Sequence, residues 1–424
     1  MLSKPSIYKI AAQRRRNAQE LTAPKFINDA YGNLLNKDDD ICNRWKEYGE
    51  VFLNEEFPRT TFRTCEPNHE DVPDISSDEV EFVIKQMKCN KAAGPDKIPA
   101  EFWKAVGVEG ILFLVTLFNK ILRDQPLPED FRMSFFLPFY KQKGDARCCG
   151  NYRAIKLMSH TMKILERVMC NRLRALVTVS DDQCGFVEGK STTDAIQSLR
   201  IMMEKHRDAR KDLHLVFIDL EKAFDRIPRD LIWCALRMQN VPEIYVQVIQ
   251  DMYHNVRTKI RCTAGTSDEF NVRIGVHQGS VLSPLLFISV IWFLTRSIDI
   301  PSVWALLFAD DIVLASEFWQ ALQQALDAWQ FALEGSGLKI SGSKTLYMEC
   351  KFADQSRPSQ DLFLSGQALP KCDQFKYLGS VVTNTASCEE DVNHRINVAW
   401  LKWRENSSIF CDRKMPPKMK GKMH

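Results

Sequence analysis

An α+β fold is predicted for this chain by three observations. Helical periodicity recurs through residues 76–207. An apolar run at 213–220 ends in a carboxylate and reads as a buried strand. Residues 304–315 read as two more apolar strands joined at a tight Asp310-Asp311 turn. Strands joined so tightly must run antiparallel, and 213–220 can pair with them in one sheet despite its distance in sequence. Helices segregated from an antiparallel sheet define the class.

In chain order, the first 75 residues are mostly polar. They hold one amphipathic helix, 41–53, with Trp45, Tyr48 and Phe52 on one side, and a linker at 66–74. Ser76-Ser77-Asp78-Glu79 is a capping box, and Val80, Val83, Ile84 and Met87 follow at helical spacing. Ala93-Gly94-Pro95-Asp96 breaks that helix, and a second runs from Pro99 to about Leu122. Residues 135–140 form a short strand and 141–145 a basic turn. Helices return at 159–177 and 192–207, and the strand 213–220 runs straight into a helical stretch. The tail 415–424 is rich in Lys, Met and Pro.

The chain has 424 residues, with 45% apolar and 26% charged, which excludes wholesale disorder. A net charge of +3 conceals an arrangement. Residues 1–25 and 402–424 each carry +5, so the centre carries −7. Thirteen cysteines without a CxxC pair suit neither a zinc site nor a disulfide framework. They read as reduced thiols inside the cell, with no disulfide partner expected. Nothing separates nucleus from cytoplasm, since Arg14-Arg15-Arg16 is too short for a localisation signal. Residues 1–25 are too polar for a signal peptide. Residues 274–295 lack formal charge, but their polar, helix-breaking first half predicts a loop before a buried helix rather than a membrane span.

The chemistry is expected at Asp219, Asp310 and Asp311. Like charges set among hydrophobic strands are costly unless a cation offsets them. Hard oxygen ligands select Mg²⁺, or alternatively Mn²⁺, over zinc. Such a set suits two-metal catalysis. The plain alternative is an ordinary turn acid facing solvent; the flanking apolar strands and Asp219 argue against it.

Phe308-Ala309-Asp310-Asp311 resembles the [Tyr/Phe]-x-Asp-Asp box of reverse transcriptases, and the segment from Phe217 to Asp225 is similar to their first palm motif. The segment from Gly275 to Phe287, which opens Gly275-Val276-His277-Gln278-Gly279-Ser280, is similar to the second. Further matches lie at 90–101, 150–157, 337–345 and 375–379. The seven blocks fall in the family's order across roughly residues 88–414, and their wording is that of non-LTR (LINE-like) retrotransposons, closest to the RTE-type group.

The resemblance implies a right-hand polymerase: fingers at 76–210, palm at 211–350, and a palm-thumb connection with a partial thumb at 351–424, after a polar region at 1–75. It implies RNA-directed DNA synthesis, with an RNA template, a DNA primer and dNTPs as partners. Asp219, Asp310 and Asp311 would hold two Mg²⁺ ions. Lys344 would protonate the pyrophosphate leaving group. Leu220 and Ala223 would lie under the triphosphate, and Phe224 would be the steric gate against a ribose 2′-hydroxyl. Gln278 and Gly279 would touch the nucleotide, and Arg153, Lys141 and Lys143 would reach its phosphates. Each has a plainer alternative: core filling for Phe224, a helix cap for Gln278, and a solvated surface for the lysines.

Gly185-Phe186-Val187-Glu188-Gly189-Lys190-Ser191 imitates a P-loop, but has three residues between its glycines where four are required. The resemblance assigns it to template contact in the fingers. His254 and His277 have no metal-ligand spacing. The family's endonuclease block is not found before Asn90, and the thumb match stops early, so a retrotransposon fragment is expected. The alternative from another class is a remnant that binds nucleic acid without turnover. A Mg²⁺-dependent nuclease would leave Gln278-Gly279 and Phe224 unexplained.

Overall fold

The computed structural model describes residues 26–60, 65–353 and 356–411. The basic stretch 1–25 and the tail 412–424, with most of its expected charge, lie outside the described residues. The α+β class is borne out. Two compact units divide the chain, and each is assembled from three separated segments: 1–180, 221–296 and 332–339 in the first, 181–220, 297–331 and 340–424 in the second.

The first unit holds a five-stranded sheet in the order Tyr152–Leu157, Met133–Tyr140, Arg257–Cys262, Gly265–Thr266, with Phe270–Asn271 also pairing with Arg257–Cys262. Its central pair, Met133–Tyr140 with Arg257–Cys262, is parallel. The predicted helix appears at Asp38–Phe52 and buries Ile41, Trp45 and Phe52. Trp45 meets the Tyr152 ring edge-on at 5.1 Å between centroids, in a core with Phe136, Ile260 and Phe270.

The capping box forms as read. The Glu79 amide donates to Ser76 Oγ at 3.3 Å, and the Ser76 amide donates to Glu79 Oε2 at 2.9 Å. The same Glu79 carboxylate accepts two bonds from Arg172, at 2.7 and 2.8 Å, which ties Ser77–Gln86 to His160–Arg174. The helix Ser77–Gln86 ends earlier than the break expected at 93–96; Gly94 instead allows a close approach, since a Cβ there would lie 2.5 Å from the Ser159 amide nitrogen. The single helix expected at 99–122 is two helices, Ala100–Ala105 and Gly107–Leu122, because Gly107 adopts φ +66° at the junction. The strands Tyr152–Leu157 and Arg257–Cys262 were not anticipated. The helix after the glycine loop, Ser283–Thr295, is buried almost all round. Among the described residues, no helix is long and apolar enough to cross a membrane.

The second unit is built on a four-stranded antiparallel sheet in the order Leu346–Cys350, Leu213–Ile218, Asp311–Ser316, Val303–Phe308. Leu213–Ile218 is central and buried at every position, which is why it reads as an unbroken apolar run. Leu213, Leu215 and Phe217 face a cluster with Leu199 and Met203 of Thr192–Asp208 and with Tyr377 and Val382. Phe217 stacks on Phe375 at 4.1 Å. On the alternate positions, the buried His214 ring shares a 2.6 Å hydrogen bond with the Tyr347 hydroxyl.

Trp45, fully buried, anchors the first unit's core. Trp45→Ala is expected to cost about 3–5 kcal/mol in chemical denaturation, and Trp45→Phe distinctly less, because the edge-on contact with Tyr152 survives in part.

Candidate active site

The central pairing brings the predicted carboxylates together in the second unit. Ile312 lies opposite Ile218, so the next antiparallel positions outward are Asp311 and Asp219. Asp310 occupies the turn between Val303–Phe308 and Asp311–Ser316. The expectation of two strands joined at this dipeptide holds, with Asp311 itself opening the second strand. Partial burial and the neighbouring charges of Asp310 and Asp219 push the Asp311 carboxyl up to about 6.

Several contacts set this edge. The Ser341 amide donates to the Asp219 carbonyl at 2.8 Å, and the Asp219 amide donates to Thr345 Oγ1 at 3.2 Å. That turn carries Lys344, whose Nζ lies 3.2 Å from Asp219 Oδ1. Both partners are exposed, so the pair adds little stability; it does place an ammonium among the acids. Leu220 is buried and bridges to Ile340.

The hairpin is also braced from outside. Ala309 takes φ +60°, a left-handed conformation that costs a non-glycine residue energy, so surrounding packing must hold it. The Cys184 amide donates to the Leu307 carbonyl at 2.7 Å, and the Leu307 amide to the Asp182 carbonyl at 3.0 Å. Gly185 follows at the point of closest approach, where a Cβ would lie 2.6 Å from the Ala309 nitrogen. The false P-loop is therefore a strut along the carboxylate hairpin. Its Lys190 Nζ donates to the carbonyls of Asp181 and Gln183 at 2.7 and 3.0 Å.

The donor set is all carboxylate oxygen, and a divalent cation would offset both the burial and the like-charge repulsion that raise Asp311. That chemistry fits Mg²⁺ or Mn²⁺. Among the described residues, however, no three His, Cys, Asp or Glu side chains converge closely enough to hold a metal ion.

The remaining predicted residues lie in the first unit, apart from Leu220. Ala223 opens the short helix Ala223–Arg226 after Lys222, itself at φ +53°. Phe224 is half-buried and stacks on Phe287 at 4.4 Å, so part of its ring does pack as core. Gly279 has φ +106°, and a Cβ there would meet the Lys156 carbonyl at 3.0 Å. Gln278 does not simply cap a helix: its Nε2 donates to Asp225 Oδ2 at 2.6 Å. Arg153 is exposed on Tyr152–Leu157. Lys141 and Lys143 are exposed in the basic turn, and Lys141 Nζ donates to the Gly150 carbonyl at 3.1 Å.

Sequence reading missed the ionisable groups buried beneath the Gln278 loop. Burial raises Asp225 and Glu166 to about 7 and lowers Lys156 to about 7. Ser280 Oγ donates to Glu166 Oε1 at 2.8 Å. His277 is buried against Tyr253 and held well below its usual range, hence neutral. The available signal was charge at positions whose helical or strand neighbours are apolar: Glu166 among Ile164, Leu165 and Val168, and Lys156 in an alternating strand.

The protein family described as "Reverse transcriptase (RNA-dependent DNA polymerase)" matches residues 140–382. The "Probable RNA-directed DNA polymerase from transposon BS" of Drosophila melanogaster is 30% identical over 324 residues, 72% of this chain and 35% of that protein. The "Retrovirus-related Pol polyprotein from type-1 retrotransposable element R2" of Nasonia vitripennis is 27% identical over 365 residues, 79% of this chain and 34% of that protein. The chain thus spans about a third of the length of these curated relatives. Among solved structures, an apo telomerase from Candida tropicalis, truncated from its C-terminal domain, has a TM-score of 0.44 at 11% identity, covering 68% of this chain and 60% of that one.

Two outcomes are expected here. Gly185→Ala forces the strut off the hairpin and should lower stability by about 1–3 kcal/mol in thermal or chemical melting. Glu166 binds its proton more tightly folded than unfolded, so stability should fall as pH rises from about 4.5 towards about 7. Glu166→Gln should flatten that slope and raise stability at pH 8 by up to about 3 kcal/mol.

Proposed function

The chain belongs to the reverse transcriptase family, and on that premise we propose that it carries the nucleotidyl-transfer core of a non-LTR retrotransposon protein of the RTE-type group. The reaction is RNA-directed DNA synthesis: a primer 3′-hydroxyl attacks the α-phosphate of a dNTP, and pyrophosphate leaves. One observation carries the reading. Asp219 and the Asp310-Asp311 turn share one end of an antiparallel sheet, where burial first and the charges of Asp310 and Asp219 second raise the Asp311 carboxyl.

Asp219, Asp310 and Asp311 are the residues that would hold Mg²⁺, two ions on the family's pattern. Bound there, the metal supplies Lewis-acid stabilisation of charge on the phosphoryl and attacking oxygens. Lys344 lies on the same carboxylate edge and is assigned the proton donor to the departing pyrophosphate. Phe224, half-exposed beyond its stack on Phe287, is assigned the gate at the sugar. Gln278 and Gly279 are assigned to the nucleotide, with Leu220 and Ala223 under its phosphates. Arg153, Lys141 and Lys143 are assigned to phosphate through exposed cationic heads. In this reading the fingers are 76–210, the palm 211–350 and the thumb connection 351–424. The template is RNA and the primer DNA, held through salt-sensitive phosphate contacts.

Primer extension on a homopolymer RNA template with Mg²⁺ tests the assignment. Wild type should incorporate dNTPs, and Asp310→Ala should lose more than about a hundredfold in rate while still binding primer-template. Binding without extension by wild type would instead indicate a nucleic-acid-binding protein without turnover.

A further inference from the structure

Asp225 is 6% exposed, in the four-residue helix Ala223–Arg226 that follows the first carboxylate motif. Desolvating a carboxylate is expensive, and burial raises Asp225 to about 7 against the opposing influence of Lys156, Lys222, Arg226 and Lys141. Such a group in a structure calls for a partner that needs it. Here the partner is the side chain of Gln278, which donates from Nε2 to Asp225 Oδ2 at 2.6 Å.

The backbones around this bond are locked together as well. The Val276 amide donates to the Phe224 carbonyl at 2.8 Å, and the Gly275 amide to the Ile227 carbonyl at 3.0 Å. Gly275 passes so close that a Cβ would lie 2.4 Å from the Asp225 carbonyl oxygen. On the other side, the Lys156 amide donates to the Gln278 carbonyl at 2.9 Å. Lys156 thus fixes the backbone of Gln278, and Asp225 fixes its amide.

A glutamine amide has two ends of similar shape and opposite polarity. In its ionised form, which prevails above about pH 7, the Asp225 carboxylate only accepts, so it selects the NH₂ end and leaves Oε1 to face elsewhere. Without that acceptor the amide is free to turn over and present a donor in place of an acceptor.

We propose that Asp225 is a positioning residue for nucleotide binding: it holds the Gln278 amide in one polarity, with the carbonyl end presented to the incoming nucleotide. The inference rests on the assignment of Gln278 to the nucleotide made above. It adds a residue that touches no substrate and acts through one that does. A charge-assisted bond of this kind is worth about 10- to 100-fold in a rate or binding constant.

The test is a double-mutant cycle in primer extension, with kcat and KM for dNTP measured separately and folding followed by circular dichroism and thermal melting. Wild type and Asp310→Ala define the metal-dependent signal. Asp225→Ala and Gln278→Ala are each expected to lower kcat/KM by about 10- to 100-fold, mainly through KM. The double variant should lose no more than the worse single one. Asp225→Asn keeps one carbonyl acceptor and should fall between Asp225→Ala and wild type. Should Asp225→Ala fail to fold, Asp225→Asn replaces it in the cycle and should have no further effect once Gln278 is Ala. Losses that multiply, or an Asp225 variant that melts earlier with KM unchanged, would overturn the proposal and leave the polymerase assignment standing. Wild type without Asp310-dependent extension would overturn both.

Discussion

Everything proposed for the second unit depends on one pairing register, Leu213–Ile218 against Asp311–Ser316. Side chains alternate across a strand, so a shift of one residue would turn Asp219 and Asp311 to opposite faces and exchange the two buried faces of the strand. The register is enforced by burial. Phe217, Leu215 and Leu213 fill one face with Val313 and Ala315, while His214 and Tyr347 satisfy each other on the other. Repulsion between acids at the sheet edge is thus held in place by apolar packing further along the same strands. Ala309 and Gly185 complete the arrangement, one by accepting an unfavourable conformation and the other by leaving room for it.

The first unit solves a different problem: a polar loop must be held at a fixed height above a core. Arg229 does much of this without a carboxylate partner at the loop. Its guanidinium donates to the carbonyls of Tyr253, Val272 and Gly275 at 2.7, 3.0 and 3.2 Å, gathering three turns of backbone around one planar group. Glu166 reaches the same loop through Ser280, and Asp225 through Gln278. Buried ionisable groups of this sort stabilise poorly but specify geometry, because each has one arrangement that satisfies it.

The sequence was most readable where one force acted alone. The apolar run at 213–218, the Asp310-Asp311 turn, and the Ser76/Glu79 capping box each follow from a single local rule. Tyr152–Leu157 was overlooked because Arg153 and Lys156 blurred an alternation in which Lys156 is on the buried side. The break at Gly107 was hidden within a continuous apolar helix pattern and is set by one backbone angle. Among site residues, the carboxylates announced themselves by standing at the ends of hydrophobic runs. Gly185 and Asp225 did not, because their importance lies in what crosses them from elsewhere in the chain: an Ala309 nitrogen in one case, a Gln278 amide in the other.

The interleaved composition of the two units has a consequence for biogenesis. The polypeptide passes between them five times, and the last segment of the first unit, 332–339, follows two segments of the second. A ribosome therefore releases neither unit whole before the other has begun. The strand Leu213–Ile218 emerges nearly a hundred residues ahead of its hairpin partner, and until then its pairing edge and the face away from Thr192–Asp208 stay uncovered. Non-local pairing of this kind folds slowly and is exposed to aggregation. Sheltering that strand, by chaperones or by slow, cool synthesis, protects the step at which this topology is most exposed.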